Sequence, residues 1–178
     1  MTLFNVAGLL QEPPGATREI AVRDRYLAVG ADVELAGPVD GVLRLQRTNR
    51  GILLRGSLDA PVRRTCSRCL EPYVETVSVL LAEEYLPTVD PQRGVPLPPP
   101  APDEETLAID AQHQIDLTPV LHDELALSEP MHPLCRPDCP GLCPGCGRHL
   151  DVGSCDCATD EPDPRLAALA RLLDGTRD

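Results

Sequence analysis

Eight cysteines set in close pairs constrain this chain more than any other feature. They stand as Cys66-Ser-Arg-Cys69, Cys135-x-x-x-Cys139, Cys143-x-x-Cys146 and Cys155-x-Cys157, six of them within residues 135–157. Two thiolates separated by a tight turn point at one ion, and Pro and Gly between them favour that turn. Four such sulfurs complete a closed tetrahedral zinc site, which is structural rather than catalytic. Eight suffice for two ions. The same ligands also suit iron, and zinc is the default expectation. The competing reading is a disulfide framework, which needs an oxidising compartment. The first residues carry no basic, apolar leader, and no apolar run approaches the ~20 residues of a membrane span. A cytoplasmic protein with reduced, metal-binding thiols is therefore expected.

Spacing divides the cysteines. Cys143, Cys146, Cys155 and Cys157 enclose one short loop and form a self-contained set. Cys66, Cys69, Cys135 and Cys139 remain for a second site that spans 65 intervening residues. Closing that gap costs roughly 3–4 kcal/mol of chain entropy, whereas structural zinc supplies on the order of 10 kcal/mol or more. A long-range site is thus affordable and would clamp the C-terminal part to the rest. His132 and His149 lie close enough to serve as substitute ligands.

The remaining chain reads as α+β, mainly β. An antiparallel meander or partly open barrel is expected in the N-terminal half, from weak alternation over 17–23, clear alternation at Leu43 and Leu45, and extended runs over 52–58 and 73–85. Residues 3–11 are apolar without a decisive period. Cys66–Cys69 should sit at a hairpin tip. Residues 87–106 hold seven prolines and an Asp-Glu-Glu run, and read as a flexible surface loop. A central helix is expected over 117–129, within the run from Ile115 to Pro130. Asp116 or Thr118 would cap it, Pro119 would sit in its first turn, and Leu117, Val120, Leu121, Leu125 and Leu127 would form its apolar face. A further helix with Asp163 as cap and a Leu166, Leu169, Leu172 and Leu173 stripe is expected near the end. The domain reading is a β domain over 1–130, a zinc-knuckle segment over 131–158 docked on it, and a C-terminal helical segment over 159–178.

The net charge is −12, and every one of the 16 basic residues is Arg. Residues 1–70 carry ten Arg against seven acids, and residues 71–178 carry six Arg against 21 acids. The acidic part favours basic proteins as partners and repels phosphate. No Gly-rich phosphate loop, nucleophile elbow or open metal position suggests an enzyme or a small-molecule substrate. His122-Asp-Glu reads as the polar face of the central helix.

Three stretches resemble the YceD family, bacterial proteins of large ribosomal RNA subunit accumulation. They are Cys66-Ser-Arg-Cys69-Leu70, the helix beginning Ile115-Asp-Leu and ending at Pro130, and Leu134-Cys-Arg-Pro-Asp-Cys-Pro-Gly-Leu-Cys-Pro-Gly-Cys-Gly147. The resemblance covers most of residues 20–158. It implies that Cys66, Cys69, Cys135 and Cys139 are the family's general set, and that the second set belongs to a subset of members. Asp151 stands where the resemblance leads one to expect Asn, and the Pro-Gly-Leu of 140–142 replaces a frequent basic residue. The implied role is a non-enzymatic zinc factor in ribosome biogenesis that binds a basic ribosomal protein or pre-ribosomal particle. Direct rRNA contact would fall to Arg47, Arg50, Arg63, Arg64 and Arg68, with Arg44 and Arg55 beside them. The alternative is a zinc-thiolate redox-switch chaperone, in which Cys143, Cys146, Cys155 and Cys157 release metal on oxidation.

Overall fold

The computed structural model describes residues 3–25, 29–30, 33–98, 107–153 and 155–157. The C-terminal helix expected over 163–174 lies outside the described residues. Short elements open the chain: β1 (Leu3–Asn5) and α1 (Ala7–Gln11). Four long strands follow, β2 (Thr17–Arg25), β3 (Val39–Arg47), β4 (Ile52–Thr65) and β5 (Pro72–Pro87). The described part continues with β6 (Leu107–Ile109), β7 (Gln114–Asp116) and α2 (Thr118–Leu127).

Strands β2, β3, β4 and β5 form an antiparallel meander, as the alternation predicts. The sheet stays open and is extended by β6, which pairs with β5 in parallel. A parallel edge was not expected. After β5, residues 88–98 turn the chain back on itself. That turn is closed by hydrogen bonds from Asp90 N–H to the Val95 carbonyl (2.8 Å) and from Leu97 N–H to the Thr88 carbonyl (2.9 Å). The first part of the proline-rich stretch is therefore a specific turn, and residues 99–106 lie outside the described residues.

β4 alternates buried and exposed positions along nearly its whole length. Its inner residues Ile52, Leu54, Leu58, Ala60 and Val62 join Leu43, Leu45, Val79, Leu81 and Tyr85 in one core. Pro61 lies beyond the last β3–β4 pair, Asp40–Asp59, so its missing N–H breaks no bond to β3. Leu9 and Leu10 of α1 cover one part of this face, and Leu117, just before α2, covers another together with Val120, Leu121 and Leu125 of α2. Residues 3–11 thus divide between a strand and a helix, a split that their weak periodicity concealed.

α2 begins later than its apolar run. Ile115 and Asp116 belong to β7, which pairs with β1. Asp116 still contributes at the helix start, since its carboxylate accepts the Thr118 N–H at 2.9 Å. Leu127 is 81% exposed and leaves the expected apolar face. Position 127 is two residues past Leu125, and two residues is about 200° around a helix, which turns it outward. Among the described residues, no helix covers the opposite face of the five-stranded sheet. There Val42 and Leu80 are exposed, and Arg44 stands directly across from Arg55.

Candidate metal centres

The β4–β5 connection places the first pair. Leu70 N–H donates to the Cys66 carbonyl (2.8 Å), and Cys66 N–H to the Glu71 carbonyl (3.0 Å). This knuckle turns both sulfurs inward and places Leu70 at φ 62°. The arm after α2 arrives through Pro133, whose carbonyl accepts from the Ser67 N–H (2.8 Å) and hydroxyl (3.1 Å). Arg68 Nη1 then donates to the Cys139 carbonyl at 2.9 Å.

Two four-sulfur groups result. Cys66, Cys69, Cys135 and Cys139 have sulfurs all within 4.8 Å of one another, and so do Cys143, Cys146, Cys155 and Cys157. In the first group Cys66 and Cys139 stand 3.8 Å apart, as do Cys69 and Cys135. A tetrahedron with zinc–sulfur bonds of about 2.3 Å has edges of about 3.8 Å. The sulfurs therefore stand at the spacing of ligands on one ion and well beyond disulfide length. The grouping expected from spacing is the one the fold assembles, and neither group includes His132 or His149. His149 Nε2 instead lies 3.2 Å from Glu71 Oε1.

The protons tell the same story. The Cys66 thiol is lowered to about 6, first by the N–H of Cys69. Cys143 is lowered to about 6, first by the thiol of Cys155 and then by the N–H groups of Cys146 and Gly145. Cys157 is pushed up to about 12, first by the thiols of Cys146 and Cys143. One sulfur in each group is lowered while its neighbours Cys135 and Cys157 are raised, and a bound cation would favour ionisation of the others. The two groups differ in cover. Cys66, Cys69 and Cys139 are buried in the first, whereas only Cys143 is buried in the second.

The arginines proposed for rRNA separate by orientation. Arg64 is not available to a partner, for only 4% of its side chain is exposed. Its Nε lies 3.1 Å from Glu75 Oε2, and its Nη2 donates to the Ser128 hydroxyl (3.0 Å) and carbonyl (3.3 Å) at the end of α2. β4 alternation turns position 64 inward, and the helix C-terminus supplies acceptors for it. Arg47 is likewise turned in, donating to the carbonyls of Leu10 (3.3 Å), Thr48 and Gly51 (2.9 Å). Arg44 and Arg55 are exposed on the outer sheet face, and Arg44 is 3.3 Å from Glu19. Arg50 is exposed at the β3–β4 turn. Arg63 is exposed and bonded to Glu34 at 2.8 Å, while Arg68 is exposed beside the first sulfur group. Sequence reasoning missed Ser128, Glu71 and Gly141 as partners of these arginines and knuckles. A glycine midway between Cys139 and Cys143 was the one available signal.

The family model for the large ribosomal RNA subunit accumulation protein YceD matches residues 54–173, from early β4 through all eight cysteines. The chain belongs to the YceD family. The family match starts later than the resemblance read from the sequence and reaches further along the chain. An uncharacterized protein of Mycobacterium tuberculosis is 35% identical over 135 residues, covering 74% of this chain and 60% of the relative. An uncharacterized Mycobacterium bovis protein matches to the same extent. One from Mycobacterium leprae is 28% identical over 141 residues, covering 79% of this chain and 62% of the relative. The chain thus spans about three-fifths of the length of these relatives. No solved structure gives a significant match. No described helix is long and apolar enough to cross a membrane.

Proposed function

We propose that this YceD-family chain is a non-enzymatic, cytoplasmic zinc factor in large ribosomal subunit biogenesis, acting by binding a basic ribosomal protein or a pre-ribosomal particle. The carrying observation is that all eight cysteines fall within the family match and converge into two four-sulfur groups with metal-ligand spacing. Two zinc ions would be held, one by Cys66, Cys69, Cys135 and Cys139 and one by Cys143, Cys146, Cys155 and Cys157. Both sets are all-sulfur, so the metal would staple residues 131–158 onto the β domain of 1–130 rather than activate a water. The 21 acids of residues 71–178 favour a basic partner, leaving the rRNA contact to the first part of the chain.

Within that part Arg44 and Arg55 stand on the exposed sheet face, among the acids Glu19, Asp40 and Asp59. Arg44 and Arg55 face each other across β3 and β4, and Glu19, 3.3 Å from Arg44, offsets part of their repulsion. Arg50, Arg63 and Arg68 extend the surface at its ends. Aromatic stacking would contribute little, because the chain has three Tyr, one Phe and no Trp. The test combines metal analysis with sedimentation in lysate gradients. Two zinc ions per chain and co-migration with large-subunit precursors are expected, and R44E/R55E should weaken that co-migration at low salt. A zinc-free chain that stays at the top of the gradient would reject the proposal. A second reading, the redox switch, draws on the partial exposure of Cys146, Cys155 and Cys157. It requires that peroxide release zinc from the second group well before the first.

A further inference from the structure

We propose that the two four-cysteine groups bind their metal ions cooperatively, through the seating of Gly141–Leu142 on the carbonyl of Arg68. The inference rests on the metal-binding reading above. Arg68 lies between the two ligands of the first knuckle, yet it touches both parts of the cysteine arm. Its Nη1 donates to the Cys139 carbonyl at 2.9 Å, and its own carbonyl accepts the Leu142 N–H at 3.2 Å. Gly141 makes that approach possible. It has φ +77°, and a Cβ there would lie 2.9 Å from the Arg68 oxygen and 3.2 Å from the Arg68 Cβ.

The second group closes over the same spot. Leu150 N–H donates to the Gly141 carbonyl (3.1 Å), and Leu142 forms a β-bridge with His149. His149 Nε2 then meets Glu71 Oε1, two residues past Cys69, at 3.2 Å. The two knuckles therefore share one seam. Only three residues separate Cys139 of the first group from Cys143 of the second, with Gly141 in the middle.

Metal in either group orders its own knuckle and so presents one half of the seam already formed. The other group then loses less chain freedom when it binds. Linkage makes this help reciprocal, because a coupling between two equilibria acts equally on both. Arg68 and Gly141 are positioning residues in this scheme, acting on the ligands through the backbone.

The test is a cycle of four chains: wild type, G141A, C143S/C146S, and the variant combining all three substitutions. All four keep the first sulfur group. Zinc affinity is measured by competition with a chromophoric chelator, and folding is checked by circular dichroism. With both groups intact, G141A should lower the first-group affinity by about tenfold, a usual size for coupling between sites. In the C143S/C146S background the same substitution should change first-group affinity by no more than about twofold. An equal loss in both backgrounds would mean that Gly141 serves only the first group, and no loss in either would mean the groups are independent. Either result overturns the coupling and leaves the metal-binding reading standing. A wild-type chain that binds no zinc overturns both.

Discussion

Replacing exposed Cys135 by Ser should destabilise this protein more than replacing Cys157, although both substitutions remove one of four ligands. The first group ties Cys69 to Cys135 across 65 intervening residues, and the second ties Cys146 to Cys155 across eight. Treating each occupied site as a cross-link, the chain-entropy law assigns about 4 kcal/mol to the longer closure and about 2.5 kcal/mol to the shorter. For a chain of this size each kcal/mol moves the melting temperature by about 2–4 °C. C135S should therefore melt about 8–16 °C below wild type, and C157S about 5–10 °C below. Thermal unfolding followed by circular dichroism in a zinc buffer, with zinc content measured on each variant, checks both values. Removing zinc from wild type with a chelator should reach at least the C135S value. A C135S variant that has lost its zinc yet melts within about 3 °C of wild type would refute the clamp, as would a larger drop for C157S.

Other outcomes depend on the core rather than the metal. Arg64→Ala should cost about 2–3 kcal/mol, below the full figure for a broken buried pair because Glu75 is half-exposed, and urea titration measures it. Gly51→Ala should cost about 2 kcal/mol or more by the same assay, since its Cβ would fall on the Tyr85 carbonyl of the neighbouring strand. The Tyr85 phenol is raised above its ordinary 10.0, first by burial and then by the charges of Glu83 and Asp116. The folded state thus holds this proton more tightly than the unfolded chain. Stability from this group is complete below pH 10 and is lost as pH rises above it, so urea midpoints should fall as pH rises above 10, and that fall should flatten in Tyr85→Phe.

Much of the sheet was readable because β3, β4 and β5 alternate with period two, and a half-buried antiparallel sheet demands that period. The second sulfur group was readable because its ligands lie within one short loop. The parallel edge of β6 was not, because three residues carry no periodic signal. Leu127 leaves the apolar face because it stands about 200° around the helix from Leu125, an angle that an unbroken apolar run hides. Arg64 misled because arginine is ordinarily a surface residue, and only the register of β4 with the end of α2 supplies Glu75 and Ser128.

By itself the sequence determined the ligand chemistry, the local knuckles and the strand alternation, because each depends on neighbours a few residues apart. Tertiary structure alone decided that two knuckles share the Arg68 carbonyl, and which arginines reach solvent. Those outcomes depend on where distant segments pack, and packing is a property of the whole core rather than of any one stretch of chain.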